Sequence, residues 1–281
     1  TDRDPAVRAQ TLSLLRSAEA APPLEDLIAL HTAWKTDVMP DARVEALVAA
    51  MAAAEPGPER QAILELGLED ADPAAVAMVV NGARGLGEAV ALPGREPRHG
   101  RRWYQELAAW AAEKRWLDVV TDRGTFRIEL DLAAAPLTSR EIWDLAADGF
   151  YDGLDFHRVV PNFVIQGGDP RGDGWGGPGF VLPDEPSLVP FDSWRVGIAT
   201  SGPQTGGCQF FITLIPADHL TGHYTNVGEV VEGRGVLSGI GVGARIREVR
   251  ALSGRIAPLQ PTDEPAGSVE PKQQPPTPGA S

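Results

Sequence analysis

Cysteine is almost absent from this 281-residue chain: Cys208 stands alone, so no intrachain disulfide can form and a disulfide-stapled scaffold is excluded. Long hydrophobic runs are missing as well; none approaches the roughly 20 apolar residues that a bilayer crossing needs, which excludes a transmembrane helix. Positive charge is short, with 25 Lys and Arg against 39 Asp and Glu and a net charge of −14. That balance removes the electrostatic basis of non-specific nucleic-acid binding. Thr1 rather than Met opens the sequence, and no basic-then-apolar leader follows it. The expectation is that an upstream portion is missing or that the chain was processed, which leaves the compartment unknown. What the chain does have is 43% hydrophobic residues, enough to build a packed core.

Those residues are unevenly spread. Positions 1–84 hold 20 Ala and no Phe, whereas all eight Phe fall between Phe126 and Phe211. A helical half followed by a β-rich half is the implied order. Within the first half, Asp4, Asp41 and Asp72 each precede an apolar-periodic run, twice with Pro in the first turn, as helix N-caps do. Val7, Val44 and Val76 mark the recurrence, with second helices expected at 23–34 and 58–68. Helix pairs at this interval resemble HEAT-type repeats, in which each pair buries its face only against its neighbours. A plain Ala-rich helical bundle is the other reading of the same pattern.

Residues 85–101 are punctuated by Gly and Pro and carry Arg95, Arg98 and Arg101, the pattern of a solvated linker. A helix over 102–114 puts Trp103, Leu107 and Trp110 on one face, suited to docking the helical half onto the β-rich half. Alternation at 116–121 and 125–131 around Asp122-Arg123-Gly124 predicts a hairpin, with Phe126, Ile128 and Leu130 inward and Arg127 and Glu129 on the other face. A helix comes next, in which Thr138 and Glu141 are spaced as a capping box. Six more strands are expected near 155–160, 162–166, 195–199, 209–213, 226–231 and 244–252, with a second helix near 233–240. Eight short strands with two helices favour closure into a barrel. Beyond 257, seven Pro among polar residues predict a disordered tail.

Three blocks then carry a specific resemblance. Phe156-His157-Arg158-Val159-Val160-Pro161-Asn162-Phe163-Val164-Ile165-Gln166-Gly167-Gly168-Asp169 is similar to the signature of cyclophilin-type peptidyl-prolyl isomerases. Gly202-Pro203-Gln204-Thr205-Gly206-Gly207-Cys208-Gln209-Phe210-Phe211-Ile212 agrees, and His219-Leu220-Thr221-Gly222-His223-Tyr224-Thr225 matches more loosely. The resemblance covers roughly 116–252 and implies an eight-stranded antiparallel β-barrel capped by two helices. The whole chain thus reads as multidomain: HEAT-like α-helical repeats at 1–84, a linker and docking helix at 85–115, an isomerase domain at 116–257, and a Pro-rich tail at 258–281.

The activity implied is rotation about Xaa–Pro bonds in protein substrates, assisting folding. No bond is made or broken, so no cofactor or metal is required. By the resemblance Arg158 is the catalytic residue. Phe163, Val164, Phe211 and Leu220 are implied as the wall of an apolar proline socket, with Tyr224 at its edge, and Phe210 reads as core. Gln166 is implied to hold a substrate carbonyl, with Gln209 beside it, and Ala199 and Thr200 to line the groove for the residue before proline. Many family members carry Trp where this chain has His219 and His where it has Tyr224. The Trp matters to cyclosporin, so weak inhibition in a titration with that drug is expected. The alternative reading is an interaction module that binds proline peptides with little catalysis. Implied partners are proline-containing polypeptides, and a protein partner or client for the repeats.

Other signals point elsewhere and are weaker. Gly172-Asp173-Gly174-Trp175-Gly176-Gly177 fits a dinucleotide fingerprint in letters, but Pro178 and Gly179 stand where its helix must begin. His219 and His223 have a metal-compatible spacing but flank a Thr-Gly loop, and no Cys or carboxylate completes a site. Cys208 reads as a small packed side chain rather than a nucleophile.

Overall fold

A computed structural model describes residues 4–37, 40–91 and 98–259. Part of the expected linker, at 92–97, and nearly all of the expected tail, from 260 onward, lie outside the described residues.

The Ala-rich half forms five helices: α1 (Pro5–Ser17), α2 (Leu24–Ala33), α3 (Asp41–Ala53), α4 (Pro58–Leu68) and α5 (Pro73–Gly85). Helix α3 is buried along most of its length, the charged Asp41 and Arg43 included, and α1, α2, α4 and α5 all pack on it. A helix covered on so many sides lies at the centre of its bundle. Ala46, Leu47, Ala50 and Met51 of α3 join Leu27, Ile63 and Val79 in one core. Asp72 caps α5 by accepting the Ala74 N–H at 2.8 Å, as its spacing predicts. Asp41 departs from that expectation: Pro40 holds the cap position, and Asp41 is the first helical residue, with its side chain buried. Two Arg–Asp pairs recur in the bundle. Arg8 meets Asp37 at 2.5 Å, and Arg43 grips Asp70 through two bonds of 2.8 and 3.1 Å.

Helix α6 (Arg101–Trp110) docks on α7 (Pro136–Ala147) through Trp110, whose ring meets Trp143 edge-on at 5.9 Å. The Arg140 guanidinium faces both Trp103 and Trp110. Arg98 is not a solvated linker residue. It pairs with Glu141 and lies 3.3 Å over the Phe180 ring, while His99 Nε2 approaches Glu141 at 2.6 Å.

The β-rich half builds β1 (Arg115–Thr121), β2 (Gly124–Leu130), β3 (Arg158–Val160), β4 (Val164–Gly167), β5 (Arg195–Ile198), β6 (Phe210–Thr213), β7 (Asn226–Glu232) and β8 (Ile246–Ser253), with a short helix α8 (Arg234–Leu237). All ladders are antiparallel, in the order β3-β4-β6-β5-β7-β2-β1-β8. The sheet curls until the chain before β3 meets the start of β8. Phe156 N donates to Ala244 O and Ile246 N to Leu154 O, which covers the two free edges. Inside lie Phe126, Tyr151, Phe156, Ile165, Ile212 and Ile246, a core separate from that of the helices.

One local expectation fails here, for a physical reason. The capping box at α7 does not form: Ala135 holds the cap position without a side-chain bond. Instead the Glu185 carboxylate accepts from Leu137 N, Thr138 N and Thr138 Oγ1, and Glu141 is occupied by Arg98 and His99. An anion at a helix N-terminus meets both orphan donors and the helix dipole. Arg127 lies on the face opposite Phe126, Ile128 and Leu130, as alternation places it, and that face is covered too, so Arg127 is buried. Asp118 holds it at 2.6 and 2.8 Å, Glu232 at 2.8 Å, and the Ala257 carbonyl at 2.7 Å, as the C-terminal strap crosses that face. Leu259 N donates to Glu232, so the first two residues of the expected tail are tied to the sheet.

Candidate active site

The turn Pro161-Asn162 sets the register of the β3–β4 hairpin. Asn162 takes a left-handed conformation (φ 57°), which Asn tolerates better than most residues. That turn pairs Arg158 with Gln166. Gln166 in turn pairs with Phe211 on β6, and Phe211 with Gly197 on β5. Residues directly opposite across a sheet share a face, so these four form one transverse row. Gly197 is required in it: a Cβ there would lie 2.3 Å from Phe211 Cζ.

Outside the barrel core, a second apolar cluster gathers on this row. Val164, Phe211, Leu220, Phe191 and Ala217 are buried in it, with Phe163, Ala199, Tyr224 and Val160 at its margin. Phe211 lies between two rings, Phe191 at 5.5 Å and Tyr224 edge-on at 5.6 Å. His219, on a 3₁₀ turn (Asp218–Leu220), stacks on Phe163 at 5.6 Å and is exposed. Phe210 faces the other way, against Tyr151 and Phe156 in the barrel core. Phe191 and Ala217 were missed in the sequence. Phe191 comes after a Pro-rich stretch without strand periodicity, and it is held in the cluster by contacts far along the chain: its ring on Phe211, its N–H donated to Thr221 Oγ1 at 3.2 Å, and its carbonyl accepting from Ala217 N at 2.7 Å.

Polar groups form a relay beside the cluster. Arg158 Nη1 donates to Gln166 Oε1 at 3.3 Å, and Gln166 Nε2 to Gln209 Oε1 at 3.0 Å. Gln209 Nε2 then donates to the carbonyls of Gly174 and Gly176. One N–H of Gln166 remains for another acceptor. The Gly172–Gly177 segment is a glycine-rich turn without a following helix. Buried Asp169 shapes it by accepting the backbone N–H groups of Arg171, Asp173 and Gly174. Thr200 and Gln209, with Ala199 and Gln166, line a cavity that opens beside the row. Burial pushes the Cys208 thiol up to about 12, which leaves it inert at neutral pH. Asn226 is buried and, among the described residues, donates nothing through Nδ2, while its Oδ1 accepts from Gly228 N at 3.3 Å.

Chemically, the row sets an exposed cation on the rim of an apolar aromatic notch, with an amide donor and acceptor between the two. Known proteins resemble the chain in sequence over this region. The model of the cyclophilin type peptidyl-prolyl cis-trans isomerase family matches residues 116–257. A peptidyl-prolyl cis-trans isomerase of Synechococcus elongatus is 40% identical over 135 residues, 47% of this chain and 93% of that protein. Peptidyl-prolyl cis-trans isomerase B of Bacillus subtilis is 41% identical over 134 residues, 47% of this chain and 94% of that protein. A crystal structure of a Cryptosporidium parvum cyclophilin-type isomerase is 27% identical, with a TM-score of 0.48, over 50% of this chain and 99% of that one. With half of its length matched by the family and its relatives covered almost end to end, the chain belongs to the cyclophilin-type peptidyl-prolyl cis-trans isomerases.

Proposed function

We propose that the Arg158–Gln166–Phe211 row isomerises Xaa–Pro bonds of polypeptides through one charged donor acting beside a proline socket. Amide resonance sets a barrier of about 18–20 kcal/mol. At its top the prolyl nitrogen is pyramidal and carries a lone pair, which exists only there. A guanidinium aimed at that nitrogen binds the transition state and not the planar ground state, the condition for raising the rate. Arg158 stays charged and offers several donors in a rigid fork. Proline fits the notch of Phe163, Val164, Phe211 and Leu220, with Tyr224 and His219 at its edge. Gln166 holds the substrate carbonyl with its free N–H, fixing one side of the amide while the other turns. Ala199, Thr200 and Gln209 border the residue before proline.

The observation that carries this reading is the 3.3 Å bond that sets Arg158 on Gln166, in register with Phe211. Cis–trans exchange on Xaa–Pro peptides tests it. The full chain accelerates exchange, and Arg158→Ala loses about 10²–10³ in kcat/KM, the usual cost of one transition-state donor, while still binding peptide. Peptide binding with exchange at the uncatalysed rate in the full chain would make the barrel a binding module and overturn the proposal.

The helical segment is, on the same footing, a HEAT-like docking surface for a partner or client, raising its effective concentration at the groove. The Arg8–Asp37 and Arg43–Asp70 pairs, whose partners lie 29 and 27 positions apart, support a repeating unit.

A further inference from the structure

The cavity beside the row, about 410 Å³, is walled on one flank by the barrel and on the other by the N-terminal ends of α3 and α5. Asn81 of α5 holds this second wall in place by donating to the Pro203 carbonyl at 2.8 Å. Two carboxylates face the space from the helical side, Asp41 and Asp72. Asp72 is spoken for: it caps Ala74, and Arg43 stands 4.0 Å away. Asp41 is not. It is 5% exposed, and among the described residues no basic side chain comes within ion-pair distance of it. Among the described residues the cation lining the cavity is Arg171, which is paired with Asp173 at 2.6 Å.

A buried carboxylate without a counter-ion costs free energy unless something supplies the charge. Burial pushes the Asp41 carboxyl up to about 6; the hydrogen bond from its own backbone N–H opposes the shift, Asp72 adds to it, and Arg171 and Arg43 oppose it from a distance. Gln166, Ala199, Thr200 and Gln209 line this cavity and also border the groove, so a side chain upstream of the bound proline has a direct way in.

We infer that the helical segment completes the substrate groove as a specificity wall, in which Asp41, supported by Asp72, selects clients bearing a lysine or arginine just upstream of the Xaa–Pro bond. This rests on the assignment of the groove to proline peptides. The wall is built from helices outside the 116–257 match, so the selectivity belongs to this chain rather than to its isomerase domain.

The test uses the full chain and paired peptides that carry Lys, or its uncharged isostere norleucine, at the first or second position before proline. Titration gives Kd and exchange spectroscopy gives kcat/KM. The expected result is about tenfold tighter binding of a Lys peptide at pH near 7.5, fading below pH 6 as Asp41 protonates, and lost in Asp41→Asn. The pH arm on the wild-type chain keeps the result decisive should the variant fail to fold. Equal affinities for Lys and norleucine at both positions, with exchange still accelerated, overturn the specificity wall and leave the isomerase reading standing. A Lys preference in Kd without accelerated exchange supports the wall and sinks that reading instead. A preference that persists in folded Asp41→Asn, or failure of every peptide to bind, also overturns it.

Discussion

Phe211 fits between Phe191 and Tyr224 because position 197 has no side chain, so the socket depends on a residue that contributes no contact of its own. Gly197→Ala is expected to lose about 1–3 kcal/mol in denaturant titration, the usual cost of overpacking, and to raise KM by displacing the Phe211 ring. Asp41 makes a second case, in which the sign of a pH effect matters. Its folded-state pKa, about 6, lies above the ordinary carboxylate value, so the folded chain binds the proton more tightly than the unfolded one does. Stability from this group is therefore greatest below about pH 4 and falls as pH rises through 6, by on the order of 2–3 kcal/mol. Asp41→Asn should exceed the wild type in denaturant stability at pH 8, with the gap closing toward pH 4. Sequence could reach Arg158, Gln166 and Phe211, because these stand inside motif blocks that resemble a known family. It could not reach Phe191, which sits in no pattern, or the role of Asp41, whose spacing reads as a helix cap, because both acquire meaning from segments far away in the chain.

Elements were more legible than their ends. The strands follow from two-residue alternation, a property each segment carries by itself, and all eight form near the expected positions. Helix caps are another matter, since an orphan N–H accepts whichever acceptor the fold delivers. Thr138 and Glu141 have the right spacing for a capping box, yet Glu185, 47 positions from Thr138, takes the N-terminus of α7. Glu185→Ala should leave those donors without an acceptor, cost about 1–2 kcal/mol, and speed hydrogen exchange at the Leu137 and Thr138 amides. Arg127 was hidden in the same way: strand alternation says which face a residue takes, and nothing about whether a later segment will cover it. Ala257 and Glu232 do so here.

At the scale of the molecule, two cores that share no residue imply two cooperative units joined by contacts at their rims. Arg43 lies inside the first unit, with its bidentate Asp70 bond and a further bond to the Asp37 carbonyl. Arg43→Ala leaves Asp70 buried without its partner, and the expected loss is about 3–5 kcal/mol. Circular dichroism at helical wavelengths should show that loss in a separate, earlier transition, while tryptophan and tyrosine signals from the barrel keep their original midpoint. How the units meet was beyond sequence reasoning. The Asn81–Pro203 bond joins positions 122 apart, and neither residue advertises a partner.

That bond has a bearing on what can be worked upon. By parking α5 against the turn at Pro203, it turns one bank of an open trough into a passage with sides. A prolyl bond in a tight reverse turn of a finished domain would bring its upstream neighbours into collision with the helices, whereas a loose, outstretched strand can be laid in lengthwise. On the proposed assignment of the groove, this arrangement would favour chains still on their way to a fold over those that have already arrived.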